Sequence, residues 1–333
     1  MYDYLKNLTP TQQVGALFVL VFGLLLLASI AAFFLSMHEP DDPDQALAQR
    51  TKLREFDAML RTSWFMVIVF WVGWASGNGV ALTLFGLVSF FALREFLTLS
   101  PTRLGDHRSL VLAFFVVLPV QYVLVGNGNF DLSAVFIPVY VFLALPLASA
   151  LANDPQRFLE RNAKLQWGIM VCVYGLSHVP ALLLLEFPHR AGAYVGRNAF
   201  LVFFLVIVVQ TCMVVQHLSS RRWPRAPVAP EISRSFNWFS WGAGVGVASL
   251  LGALLAGITP FVPGQALALS LIACAAGTLG HLVMKALKRD RGIPNWGAQG
   301  ASVTGAGGLL DRVDALCFAA PVFFHSVRWY FGL

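Results

Sequence analysis

Charge is what this 333-residue chain has least of: Asp, Glu, Lys and Arg make up 12% of it, against 57% hydrophobic residues. A soluble domain carries roughly 25% charged residues. The deficit excludes an ordinary water-soluble enzyme, and the long apolar runs exclude a disordered chain. No G-X-Y period and no sustained heptad is present, so the collagen-like and coiled-coil classes fail too. Cysteine is also scarce. Cys172, Cys212, Cys274 and Cys317 lie in apolar stretches without C-x-x-C spacing and read as small buried hydrophobes, not as a redox or metal motif. No Walker loop, dinucleotide-binding glycine fingerprint, H-E-x-x-H or G-x-S-x-G occurs. What remains is an all-α, polytopic transmembrane helical bundle.

A span needs about 20 apolar residues to cross a hydrocarbon core of about 30 Å. Ten stretches qualify as candidates: 14–37, 64–76, 80–96, 110–126, 132–151, 167–187, 193–216, 240–258, 263–287 and 313–331, the second being the shortest. The first has no charge and no small-residue cleavage site after it, which predicts a retained helix and not a signal peptide. Loop charge tests the count. If alternate loops are taken as inside, starting after the first span, they hold 19 of the 23 Lys and Arg. That asymmetry predicts ten spans with both termini on the non-cytoplasmic side, and it reads the formal charge of +6 as topogenic, not as a nucleic-acid footprint.

Residues 1–62 divide from 63–333 in character. Segment 38–62 opens with Glu39-Pro40-Asp41-Asp42-Pro43-Asp44 and then sets Leu47, Leu53, Phe56, Met59 and Leu60 on one side of a helix. It suits a helix on the membrane surface or a solvated linker packed on the protein. The membrane domain follows from residue 63.

The chemistry concentrates near the C-terminus. Lys285, Lys288, Arg289 and Arg291 close one long apolar stretch, glycines crowd 297–308, and Asp311-Arg312-Val313-Asp314 opens the next. Glycine-rich backbone binds phosphate oxygens and Lys or Arg neutralises them. Asp311 and Asp314 share a helix face at i, i+3 and suit a hard divalent cation. The same residues also serve as helix-terminal caps and topogenic charges. Elsewhere, His178, Gln121, Gln210 and Glu186 are polar groups in or near apolar stretches, read either as functional or as helix–helix hydrogen bonds. Gly242-x-x-x-Gly246 predicts close helix packing within the chain, and Trp223 and Trp296 read as interfacial anchors.

The stretch 280–324 resembles the C-terminal signature of the phosphatidate cytidylyltransferase, or CDP-diacylglycerol synthase, family. That pattern runs G-D-x-x-x-S-x-x-K-R, then K-D, then H-G-G-x-x-D-R-x-D-S and an A-A-P-V-F final span. Lys288-Arg289, Gly307-Gly308, Asp311-Arg312-Val313-Asp314 and Ala319-Ala320-Pro321-Val322-Phe323 carry the likeness. Arg94-Glu95-Phe96, the segment Ala229–Ser233 with Trp238, and Gln210 with Gln216 extend it weakly upstream. The departures fall on chemistry. His281 stands at the family aspartate, Lys285 at a serine, Pro294-Asn295 at K-D, Ala306 at the histidine and Ala315 at the second serine. Met213 falls at an acidic position, and Phe236 and Phe239 replace a lysine and a glutamate.

The resemblance implies a membrane nucleotidyltransferase that makes CDP-diacylglycerol and pyrophosphate from CTP and phosphatidate, in a bacterial inner membrane with its site facing the cytoplasm. It implies catalytic Asp311 and Asp314, phosphate binding by Lys288, Arg289, Arg312, Gly307 and Gly308, and Mg²⁺ or Mn²⁺ on Asp311 and Asp314. His281 would be a further ligand, poor for Mg²⁺ and better for Mn²⁺ or Zn²⁺. The lost charges keep open a second reading, an impaired relative that binds an anionic lipid or a partner membrane protein. A transporter rests on span count alone, since no inverted repeat is visible.

Overall fold

In lipid, the backbone has no water to bond with, so an apolar run satisfies its own N–H and C=O groups by closing into a helix. The computed structural model describes residues 9–37, 53, 60, 63–64, 67–68, 70–98, 103–187, 198–293, 296 and 308–333. Its long helices are α1 (Pro10–Met37), α2 (Asn78–Thr98), α3 (His107–Gly126), α4 (Phe130–Ala150) and α5 (Phe158–Leu184), followed by α6 (Ala199–Arg222), α7 (Trp238–Ile258), α8 (Pro263–Asp290) and α9 (Leu310–Phe331). Among the described residues, α1 to α8 are the eight helices long and apolar enough to cross a membrane. α9, with Asp311, Arg312, Asp314, His325 and Arg328, is less apolar. Of the ten stretches expected to span, the second is helical at every described residue from 64 to 75, namely 64, 67–68 and 70–75. No strand occurs among the described residues, only an isolated bridge between Ala229 and Ser233. Apart from 53 and 60, the expected amphipathic segment 38–62 lies outside them.

The surface bears out a lipid setting. On α1, Leu20, Leu24, Leu27, Phe33 and Phe34 are each more than half exposed, an arrangement too costly for water. Phe18 ties α1 to the rest through rings at 5.0 Å (Phe203) and 5.6 Å (Phe70). Three spans widen to i→i+5 hydrogen bonding, at Ala113–Val117, Phe136–Val141 and Met170–Gly175. Pro119, Pro138 and Pro180 lie in or just beyond these turns. A proline removes an N–H and crowds the carbonyl four residues back, and a wide turn relieves the crowding. At one end of α3, α4 and α5, Ser149 bonds Ser109 (2.8 Å) and Asn162 (2.9 Å). Beside them, buried Arg161 joins Asp154 at 2.7 Å to Asp106 at 3.3 Å. The hydrogen bond from Arg161 holds the Asp154 carboxyl below its usual range.

Small residues decide which helices touch, and not at the positions the sequence motif names. A Cβ on Gly242 or Gly246 would meet nothing, whereas one on Gly244 would press on the Cys212 carbonyl of α6 and one on Gly252 on Ser270 of α8. The packed face of α7 is therefore Gly244, Ala248 and Gly252, rotated away from the G-x-x-x-G pair. Trp296, expected as an interfacial anchor, is instead buried against Phe96 with rings 5.5 Å apart. Trp223 is half-exposed beneath the Arg222 guanidinium, at 5.6 Å. The four cysteines are buried and unpaired in disulfides. Glu186 is exposed. Gln121 donates to Ser177 and to the Ser133 carbonyl, each at 3.2 Å, which is the helix–helix reading.

The tightest approach of one of these glycines to another backbone is between α5 and α9, where a Cβ on Gly175 would be driven into the backbone carbonyl of Cys317. Backbone cannot swing aside as a side chain can. Gly175→Ala should therefore lower stability by about 1–3 kcal/mol, the scale of overpacking, read as a fall in the melting temperature of purified protein in detergent. Gly246→Ala, facing open space, should melt at or slightly above wild type. Equal melting of the two variants would contradict the packing.

Candidate functional site

The site begins with a helix start that has no side-chain cap of its own. The residue preceding α9 is Leu309, which carries no acceptor. The first N–H groups of a helix lack partners within it. Here Glu95, fully buried at the end of α2, supplies them: Oε1 accepts from Leu309 N and Oε2 from Leu310 N, both at 2.9 Å. Its negative charge also complements the positive end of the helix dipole. α9 is thus held at the position where its next residues become chemical.

Asp311 lies in the first turn. Its Oδ1 accepts from Lys288 Nζ at 2.6 Å and its Oδ2 from the Trp296 backbone N–H at 2.9 Å. Asp314, one turn on and 3% exposed, accepts from His281 Nδ1 at 2.7 Å on Oδ2, and from the Ala315 N–H at 2.6 Å on Oδ1. Glycine makes this pairing reachable. A Cβ on Gly280 would strike the Phe318 ring, and one on Gly277 would crowd the Ala315 carbonyl. With both bare, α8 approaches α9 closely enough for His281 to touch Asp314.

These groups form the polar end of a cavity of about 560 Å³. His281, Asp311, Arg312, Asp314 and Gln210 line that end, while Phe18, Val67, Phe70, Phe85, Val202 and Phe203 line the apolar remainder. Met213, where the sequence comparison expects an acid, also lies on this wall. Arg312 Nε is buried and has no acceptor among the described residues. A buried guanidinium donor on a cavity wall is a receptor for an anionic oxygen.

Of the residues singled out in the sequence, His281, Asp311, Arg312 and Asp314 meet at this cavity, and Lys288 reaches it through Asp311. Arg289 is exposed and absent from the lining. Gly308 is buried just before α9, and Gly307 lies outside the described residues, as does the rest of the glycine-rich segment 297–307. Among the described residues no three His, Cys, Asp or Glu side chains gather as a metal cage. Each carboxylate is already engaged, Asp311 with a lysine and Asp314 with a histidine, so among the described residues these two alone do not make up the oxygen cage that Mg²⁺ prefers. Sequence reasoning missed what Glu95 does, although a glutamate closing an apolar stretch was the available signal. It also missed the contributions of Phe18 and the Trp296 N–H, for which no local pattern exists.

The profile of the cytidylyltransferase family matches residues 58–330. The uncharacterized protein YnbB of Escherichia coli (strain K12) is 33% identical over 311 residues, covering 93% of this chain and 96% of its own. A phosphatidate cytidylyltransferase of Mycobacterium leprae (strain TN) is 33% identical over 177 residues, 52% of each chain. The match to that enzyme thus spans about half its length.

Glu95→Gln tests how α9 is anchored. The amide keeps one acceptor and turns an NH₂ group toward the other backbone N–H. A hydrogen bond to a charged group contributes about 1.5–3 kcal/mol, and a destabilisation of that size should appear in thermal unfolding. A variant melting with wild type would remove Glu95 from this role.

Proposed function

This chain belongs to the cytidylyltransferase family, and on that premise we propose that it is a membrane nucleotidyltransferase of phospholipid synthesis, joining CTP and phosphatidate into CDP-diacylglycerol and pyrophosphate. The observation that carries the reading is a cavity lined by both apolar and polar side chains, among them Arg312, whose buried Nε has no acceptor among the described residues. A phosphorylated lipid has that same division, apolar chains and an anionic head.

A phosphate oxygen of phosphatidate attacks the α-phosphorus of CTP. As that P–O bond forms, the bond from the α-phosphorus to the bridging oxygen breaks, and pyrophosphate leaves with the electron pair. The attacking oxygen is already anionic, so no base is needed. The barrier lies in bringing two anions together, which positioning and fixed positive charge lower. Arg312 binds a phosphate oxygen at the cavity, and Lys288, steered by Asp311, adds positive charge beside it. Asp314 orients His281 toward the same space, and Gly308, just before α9, offers its backbone N–H to the nucleotide. Arg289, at the surface, meets the outer phosphates. A divalent ion such as Mg²⁺ would add charge neutralisation of the same kind, yet the engaged carboxylates offer it no ready protein cage, and no step above depends on it. The loop charge asymmetry supports a site facing the cytoplasm, in a bacterial inner membrane.

One observation favours the second reading, a non-catalytic relative that holds an anionic lipid or a partner membrane protein. The positions where the resemblance expects acids, His281 and Met213, face this same cavity without adding a carboxylate.

Purified protein given CTP, phosphatidate and Mg²⁺ should form CDP-diacylglycerol weakly. Arg312→Ala should cut kcat/KM by about 100-fold or more, the scale of losing one preorganised donor. His281→Asp should gain Mg²⁺ dependence by adding a carboxylate beside Asp314. An inert wild type that still binds phosphatidate, with no metal binding gained by His281→Asp, would replace the synthase reading with the lipid-binding one.

A further inference from the structure

A second polar cluster lies inside the bundle, far along α9 from the acidic turn. His325 is about 16 Å from Asp314 along the helix axis, at a rise of about 1.5 Å per residue. It faces Tyr174 and His178, one helical turn apart on α5. His178 Nε2 stands 3.2 Å from His325 Nε2, and Tyr174 Oη stands 3.1 Å from the same His325 nitrogen.

We propose that Tyr174, His178 and His325 form a binding site for a zinc-type divalent cation, fastening α5 to α9 at the end of the bundle opposite the phosphate site. Two imidazole nitrogens and a phenol oxygen are donors that suit zinc and are poor for Mg²⁺. Ligands about 2.0–2.1 Å from a tetrahedral zinc stand about 3.3 Å from one another. The separations of 3.1 and 3.2 Å lie close to that value.

The surroundings carry the features a built site needs. His178 Nδ1 is 2.7 Å from the Tyr174 carbonyl and donates to it, which leaves Nε2 of the neutral ring as a lone pair aimed at His325. The Phe324 ring packs edge-on against His178 at 5.2 Å and fixes its orientation. Next to Tyr174, Gly175 lets the α5 and α9 backbones meet at Cys317, about two turns along α9 from His325, which holds the two helices together. His178 is 2% exposed, while Tyr174 and His325 are half-buried and leave an open side for a fourth ligand.

Hydrogen bonding alone accounts for the cluster less completely. If His325 carries its proton on Nε2, it donates to His178, and the Tyr174 hydroxyl has no acceptor there. If the proton is on Nδ1, two lone pairs oppose each other. A cation satisfies all three donors together. The nearest fixed charge, Arg328, is paired with Asp131 at 3.0 Å, and loss of the phenol proton on binding offsets part of the ion's charge.

The test uses full-length protein in detergent, stripped with EDTA and titrated with Co²⁺. Wild type should bind one equivalent with the visible bands of a tetrahedral site, displaced by Zn²⁺, and Zn²⁺ should raise its melting temperature. His178→Ala and His325→Gln should lose the bands, and Tyr174→Phe should shift and weaken them. His325→Gln and Tyr174→Phe preserve much of the packing, so both should melt near metal-free wild type. His281→Ala should bind as wild type does. No cobalt band in wild type, an unchanged band in both His325→Gln and Tyr174→Phe, or loss only in His281→Ala would each overturn the proposal.

Discussion

The buried carboxylate of Glu95 sets the position of everything chemical in this protein. It is a charge removed from water, which is costly unless its oxygens are bonded. Two backbone N–H groups at the start of α9 meet that need, and the same two bonds satisfy donors that the helix cannot satisfy itself. Neither partner is comfortable alone in an apolar bundle. Their mutual need fixes the end of α2 to the start of α9, and Asp311, Arg312 and Asp314 follow within the next turn.

From that anchor the site is built as pairs, an ion pair of Lys288 with Asp311 and a hydrogen bond of His281 with Asp314. Pairing makes buried ions tolerable and holds their geometry, yet it also occupies the oxygens that a metal would use. Arg312 differs, with a buried Nε that no described group accepts from. The cavity is therefore asymmetric in its chemistry, with its carboxylates already engaged and its guanidinium receptive to an anion. Both proposed readings of the function draw on that asymmetry, and they differ in whether the paired groups also assist phosphoryl transfer.

Close helix contact is the other condition. Without water in the bilayer, apolar burial adds little between helices, and packing depends on how near the backbones come. Gly175, Gly244, Gly252, Gly277 and Gly280 each stand where a Cβ would collide with a neighbour. The glycines of α8 bring His281 to Asp314, and Gly175 brings α5 against the backbone of α9 at Cys317. Polar groups then bond across the gap: Gln121 to Ser177, Trp241 to Thr278, Gln265 to Tyr330.

The sequence by itself determined the fold class and most of the spans, because a run of apolar residues in lipid has only the helix in which to satisfy its backbone. It also marked His281, Asp311, Arg312 and Asp314, since those residues lie near the facing ends of two helices consecutive in the chain, α8 and α9, and Asp311-Arg312-Val313-Asp314 keeps its local spacing on folding. Tertiary structure decided which face each helix turns inward. That is why Gly244 and Gly252, and not Gly242 and Gly246, carry the packing of α7, and why Trp296 is core while Arg289 is surface. It alone joined Glu95 to Leu309 and Leu310, and His178 to His325, across more than a hundred residues. Such contacts depend on helix rotation and on the depth at which neighbours meet. Both are set by many packed side chains at once, and no local spacing records them.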